Sequence, residues 1–191
     1  MNVYDFDNTI YDGESSFDFF IFCLKKRPSL IKFLPPVLIT LIQYKLCRIT
    51  TEELTEKCEK YMGEFLSMLD SPKKLISDFW DCHESKIKAF YRQRQKEDDV
   101  VISASNDFFL SEICKRLGIK YLIASKMDVE QCRIEYLCHS SNKVKLFKEK
   151  FPNGVIDEFY TDSKNDMPMI RLSEKAFFVK GDTITEYKAQ K

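Results

Sequence analysis

Glycine, proline and histidine are scarce in this chain, with 5, 6 and 2 of them among 191 residues. So few glycines and prolines exclude collagen-like and linker-dominated architectures. The two histidines, His83 and His139, stand far apart without metal-ligand spacing, as ordinary helix or surface residues would. Tryptophan occurs once, and no interleaving of aromatic and basic residues marks a groove for nucleic acid. Net charge is missing as well: Lys+Arg 30 and Asp+Glu 30 cancel, so there is no global basic field to recruit a polyanion. The 7 cysteines (positions 23, 47, 58, 82, 114, 132 and 138) include no Cys-x-x-Cys pair. An odd number with unpaired spacing fits reduced, mostly buried thiols in a cytoplasmic protein better than a disulfide framework or a zinc site. No secretory signal opens the chain, because Met1-Asn2-Val3-Tyr4 runs straight into acidic residues.

Present instead is the balance of a soluble globular protein, 44% hydrophobic and 31% charged. The length allows one full catalytic domain with a modest insertion. Asn2–Phe6 reads as a short strand ending in acidic residues. From Glu14 to about Lys96 the periodicity is helical throughout. Thr50-x-x-Glu53 is a capping box, followed by apolar Leu54, Cys58, Tyr61, Met62 and Phe65 on one helical face. Ser71-Pro72 opens a further helical run through Leu75, Ile76, Phe79, Trp80 and Ile87, with Pro72 in the first turn.

Past Asp98 the pattern changes to strands alternating with helices. Asp99–Ser103, Tyr121–Ala124, Arg133–Leu137 and Val155–Thr161 read as strands, with helices over about Asp107–Leu117, Lys143–Phe151 and Asp166–Leu172. Gly118 stands in a helix-stop position, and Gly181-Asp182 separates the arms of a hairpin. The expected fold is therefore α/β: a Rossmann-like parallel sheet flanked by helices, with an all-helical cap inserted after the first strand. Residues 1–12 and 97–191 form the core, and residues 13–96 the cap.

Ligands of an open α/β sheet bind at the carboxyl ends of its strands. Polar residues that terminate the apolar strands are therefore candidates: Asp5 and Asp7, Ser103, and Asp162 with Asp166 four residues on. Lys143 stands at the start of a helix between them. Alone, each has an ordinary structural reading. Asp-x-Asp is commonly a solvated turn, Ser103 a cap, Lys143 one of a row of surface lysines, and Asp162 and Asp166 first-turn acids. Together they bring carboxylates, a hydroxyl and an ammonium to one rim. Such a set suits Mg²⁺ and phosphoryl transfer, with one carboxylate as nucleophile and another two residues on moving the proton.

These segments resemble the four motifs of the haloacid dehalogenase superfamily: Asp5-Phe6-Asp7-Asn8-Thr9, Ser103 after a hydrophobic strand, Lys143, and Asp162-Ser-Lys-Asn-Asp166-Met-Pro168. The helical insertion resembles the cap of its phosphoserine phosphatase-like branch, subfamily IB. The resemblance implies Asp5 as nucleophile and metal ligand, and Asp7 as general acid/base with its carbonyl on Mg²⁺. Ser103 and Lys143 would hold the phosphoryl group, and Asp162 and Asp166 would complete the metal site. Thr9, Glu14, Ala104 and Asn165 would contact substrate. An aspartate at position 7 points to phosphate esters, since dehalogenases and phosphonatases of the superfamily generally lack it.

For the substrate, Glu14 stands where phosphoserine phosphatases carry a glutamate for the amine. Ser103-Ala104-Ser105 replaces their Ser-Gly-Gly, however, and no arginine occupies the cap position expected for the carboxylate. A nearer likeness is to the phosphatidylglycerophosphatase C type, which carries a hydrophobic, proline-containing stretch like residues 27–42. The uncharged run Phe33–Tyr44 is shorter than the about 20 apolar residues of a spanning helix. It can instead lie at the inner face of a membrane, flanked by Lys25, Lys26, Arg27, Lys32 and Lys45, or pack inside the cap. The expectation is a lipid or isoprenoid phosphate, with a soluble metabolite such as phosphoserine as the alternative. A phosphoacceptor domain or a non-catalytic phosphate-binding module is the reading from another class.

Overall fold

A computed structural model describes residues 1–46, 48–128 and 133–188, without the side chains of residues 41, 45, 51, 52, 54, 55 and 58. Cys47, Cys132 and the side chains of Leu54, Cys58 and Lys45 therefore lie outside the described residues. Seven strands form one sheet in the order β4-β3-β2-β1-β5-β6-β7. These are β1 (Asn2–Tyr4), β2 (Val100–Asn106), β3 (Tyr121–Asp128), β4 (Arg133–Tyr136), β5 (Glu158–Thr161), β6 (Lys175–Lys180) and β7 (Thr183–Glu186). The five inner strands are parallel, as the βαβ pattern dictates. Both edges are antiparallel: β4 folds back on β3, and β7 on β6 through Gly181 at φ 58°.

Alternation along the strands sorts the side chains into two layers. Val3, Val100, Ile102 and Phe159 face α7 (Ser141–Lys150) and α8 (Met167–Leu172), where Phe147, Met169 and Ile170 are buried with them. Tyr4, Val101 and Tyr160 face the other way, toward α5 (Ala89–Arg94), α6 (Asp107–Arg116) and the cap. On that face the rings of Tyr4 and Tyr160, which are register partners on β1 and β5, stack at 4.7 Å. Tyr160 stacks in turn on Phe177 of β6 at 4.9 Å.

Between β1 and β2 stand α1 (Ser15–Lys26), α2 (Leu34–Lys45), α3 (Thr51–Ser67) and α4 (Pro72–His83), then α5. Both bonds of the capping box open α3: Thr50 Oγ1 accepts from the Glu53 N–H at 3.2 Å, and Glu53 Oε2 from the Thr50 N–H at 2.9 Å. Pro72 occupies the first turn of α4. The helix stops at His83, so Ile87, expected on the same helix, is extended and bridges to Tyr11. The reason is Lys88: its N–H bonds the Ile10 carbonyl at 2.8 Å and pulls this segment onto the loop after β1.

Trp80 fastens the insertion to the core. Its indole N–H donates to the Phe109 carbonyl at 3.1 Å, and its ring meets Phe6, Tyr11, Phe79 and Phe109. Among the described residues, Cys23, Cys82, Cys114 and Cys138 are free thiols and only Cys82 is exposed. His83 stacks on Phe79 and bonds its carbonyl, an ordinary packing role.

Candidate active site

The β1 strand ends one residue before Asp5 rather than at Phe6. From there the chain coils tightly, with the N–H groups of Ile10 and Tyr11 both reaching back to the Phe6 carbonyl at 2.9 Å. Asn8 takes a left-handed conformation, φ 56°, which asparagine tolerates better than most residues. Gly13 has φ 128°, and a Cβ there would also crowd Lys86 Nζ at 3.3 Å. This coil aims Asp5 and Asp7 across the carboxyl ends of the strands.

Lys143 links two of the candidate carboxylates. Its ammonium donates to Asp5 Oδ1 at 2.7 Å and to Asp166 Oδ2 at 2.9 Å, and all three side chains are buried. Ser140, at φ 51°, turns the chain into α7 so that Lys143 falls on the inward face of its first turn. Burial works against the Lys143 charge, but Asp5 and Asp166 outweigh it and raise the pKa above the ordinary lysine value. Burial pushes Asp5 up to about 7, against the pull of Lys143 and with the push of Asp166. Thr161, at the end of β5, donates to Asp166 Oδ2 at 2.8 Å. That contact was not foreseen from the sequence.

Asp7 is held from both sides. Its Oδ1 accepts the Ser15 N–H at the start of α1 at 2.7 Å, and its Oδ2 accepts the Ser105 hydroxyl at 2.7 Å. Ser103 is buried, and its Oγ accepts the Ser105 N–H at 3.1 Å. The irregular end of β2 is bolted from below by Ser125, which donates to the Ala104 carbonyl at 2.7 Å and accepts from the Cys138 N–H at 2.9 Å. Ser105 therefore joins the site, which the sequence signalled only as a departure from Ser-Gly-Gly.

The remaining candidates spread around the rim. Ala104, Asp162 and Asn165 are exposed there. Glu14 stands at the N-cap position of α1 without a side-chain capping bond, and its Oε1 accepts from Asn8 Nδ2 at 2.6 Å. Partial burial and then Asp7 raise the Glu14 pKa. Thr9, expected among the substrate contacts, is instead fully buried, with its hydroxyl 3.5 Å from Asp5 Oδ2. Lys88, a residue with no motif signal, is buried and donates to the Asn8 carbonyl at 2.5 Å and the Gly181 carbonyl at 3.0 Å. It ties the β1 coil to the β6–β7 turn.

Asp162 feels partial burial and the Asp166 and Asp7 charges, all raising its pKa. Asp5 likewise feels Asp166 and Asp7. Four carboxylates thus repel one another across a rim whose buried cation, Lys143, already serves two of them. No three acidic, His or Cys side chains close into a metal cage among the described residues. An open set of hard oxygen donors with a surplus of negative charge fits Mg²⁺, which keeps several waters and needs only one or two carboxylates alongside substrate phosphate. Asp5, Asp162 and Asp166, with the Asp7 carbonyl, would hold it.

Comparison with known proteins finds the same fold. A protein from Bordetella pertussis Tohama I of unknown function superposes with a TM-score of 0.73 at 16% identity, covering 92% of this chain and 87% of that one. A phosphoserine phosphohydrolase-like protein from Francisella tularensis gives a TM-score of 0.53 at 15% identity, covering 92% and 86%. In sequence, the chain is 22% identical over 165 residues to a histidinol-phosphatase of Neisseria meningitidis, covering 76% of this chain and 66%, just under two thirds, of that protein. The family model of haloacid dehalogenase-like hydrolases matches residues 3–171. The match runs from β1 through the inserted helices to α8, with β6 and β7 beyond it, and the chain belongs to the haloacid dehalogenase-like hydrolase family.

Proposed function

We propose that the protein hydrolyses phosphate monoesters with Mg²⁺ through a covalent phosphoryl-Asp5. The observation that carries this reading is the pairing of Asp5 with Lys143 beside an independently held Asp7. Lys143 favours the ionised form of Asp5 against the effect of burial and orients it, and its ammonium faces the charge of an incoming phosphoryl group. Bound Mg²⁺ would supply further charge neutralisation for the phosphoryl oxygens. An Asp5 oxygen attacks phosphorus, the bond from phosphorus to the alcohol oxygen breaks, and the leaving oxygen takes a proton from Asp7. Water then attacks the same phosphorus and gives its proton to Asp7. The phosphorus–Asp5 bond breaks, and orthophosphate leaves with Asp5 restored.

The bonds to Asp7 suit that exchange. A backbone N–H can only donate, so Ser15 keeps Oδ1 as an acceptor. A hydroxyl can donate or accept, so Ser105 can follow Oδ2 through both protonation states. The Ser103 hydroxyl is assigned to hold the phosphoryl group. Phosphate release from an aryl phosphate by purified protein, dependent on Mg²⁺ and absent in Asp5→Asn, tests the reading against a binding or phosphoacceptor role.

For the alcohol, two readings have structural support. The Glu14 carboxylate at the cap–core boundary suits the amine of a soluble metabolite such as phosphoserine. The apolar character of α2 suits a lipid or isoprenoid phosphate. No helix is long and apolar enough to cross a membrane among the described residues. The outer face of α2 nonetheless exposes Leu38, Ile39 and Ile42, with Ile31 and Leu46 beside it. Residues 19–51 hold no carboxylate and six basic residues, of which Lys25, Lys26, Lys32 and Arg48 are exposed. That combination fits peripheral seating of the cap on an anionic lipid surface.

A further inference from the structure

Beneath the outer face of α2 lies a cavity of about 220 Å³. Its cap wall includes Phe20, Val37 and Met62, and its core wall Phe108. No charged side chain lines it; the polar side chains are Ser16, Thr40 and Asn106, besides the Tyr61 hydroxyl. Two of these stand at the catalytic rim. Asn106 ends the strand that carries Ser103, and Ser16 Oγ lies 3.2 Å from Ser105 Oγ, which itself donates to Asp7 at 2.7 Å. The cavity thus reaches within two hydrogen bonds of the residue assigned to protonate the leaving oxygen.

We infer that this cavity takes the apolar tail of the substrate's alcohol, so that the preferred substrates are monophosphates of single-chain apolar alcohols. The inference rests on the phosphatase reading above and adds the class of leaving group. An amino-acid or polyol alcohol would place its polar groups among aromatic rings with only Ser16, Thr40, Asn106 and the Tyr61 hydroxyl to pair with and no opposite charge, a desolvation cost. A hydrocarbon tail loses nothing there and gains burial. At roughly 30 Å³ for a water-sized group, the cavity has room for about seven methylenes. The α2 helix is apolar on both sides, with Val37 turned to the cavity and Leu38 and Ile42 to solvent. A tail leaving a lipid surface under the cap would therefore not have to cross a charged layer.

The test is a steady-state series of n-alkyl monophosphates from two to ten carbons with Mg²⁺, run beside phosphoserine and glycerol phosphate. Each methylene is expected to lower KM about fourfold, the equivalent of about 0.8 kcal/mol, until the cavity is full near seven carbons. Val37→Trp narrows the cavity and should move that break to a shorter chain. Its fold can be checked by its melting transition, and the series on the unaltered protein stands without it. Turnover with KM independent of chain length, or a clear preference for phosphoserine, overturns the inference while leaving the phosphatase reading intact. No turnover of any phosphate would instead count against the phosphatase reading itself.

Discussion

The Ser105 hydroxyl donates to the Asp7 carboxylate at 2.7 Å, joining the carboxyl end of β2 to the coil after β1. Asp7 simultaneously receives the first N–H of α1, so its position depends on the cap helix as well as on the core. A bond to an ionised group contributes about 1.5–3 kcal/mol. Ser105→Ala should therefore lower kcat about 10- to 100-fold with little change in KM. Ser103→Ala should raise KM as well, because that hydroxyl is assigned to the phosphoryl group itself. A split between the two variants in steady-state kinetics checks the assignment; identical effects would contradict it.

Lys143→Met leaves Asp5 and Asp166 buried without their shared cation. Activity should fall at least about 100-fold, the scale seen when a preorganised stabilising group is removed. In metal-free buffer the variant should also melt well below the parent, since removing one partner of a buried ion pair costs about 3–5 kcal/mol. Added Mg²⁺ should raise the melting temperature of both proteins, because it relieves the repulsion among Asp5, Asp162 and Asp166. A parent protein whose melting is indifferent to Mg²⁺ would argue against the metal assignment.

Asp99 supplies a prediction away from the site. It is buried, one oxygen accepts the Lys96 N–H at 2.8 Å, and the other has no partner among the described residues. Burial lifts its pKa from 3.8 to about 6, so the folded state holds the proton more tightly than the unfolded chain. The stability linked to that proton is fully present below pH 3.8 and is lost as pH rises through about 6. Asp99→Asn keeps an acceptor for Lys96 and removes the charge. It should stabilise the protein by on the order of 1–2 kcal/mol at pH 7 and by much less at pH 4. Chemical denaturation at the two pH values measures the difference, and an equal effect at both would contradict the burial argument.

The outer face of α2 can be tested separately from catalysis. Leu38→Asp with Ile42→Asp places two charges where apolar side chains face solvent. Partitioning onto anionic vesicles should drop at least about tenfold, with turnover of a short soluble phosphate kept. Absence of vesicle binding by the parent protein would remove the peripheral role.

What the sequence revealed, and what it concealed, divides by range along the chain. Asp5, Asp7, Ser103, Lys143, Asp162 and Asp166 could be picked out because each stands where a periodic pattern begins or ends. The Thr50–Glu53 box and Gly118 were legible for the same local reason. Ser105 on Asp7, Thr161 on Asp166 and Lys88 across two loops depend on contacts between residues far apart, to which local periodicity is blind. The same blindness extended Ile87 into a helix, since only its bridge to Tyr11 makes it extended. It also left the antiparallel return of β4 on β3 unread, although the β6–β7 hairpin was legible at Gly181-Asp182, and it put Thr9 among the substrate contacts, although its side chain is buried. The α2 segment was ambiguous between packing inward and facing outward. It does both: Phe33 just before it and Thr40 within it are buried, while Leu38, Ile39 and Ile42 are exposed.

The central claim is that Asp5 is the residue phosphorylated in turnover. Acid-quenching the enzyme during steady-state hydrolysis, then locating the phosphoryl group by peptide mass spectrometry, addresses it directly. The account predicts a hydroxylamine-labile phosphoryl group on the peptide containing Asp5, absent in Asp5→Asn, which should also be inactive. Continued turnover by Asp5→Asn, or a phosphoryl group found on another residue, would contradict it.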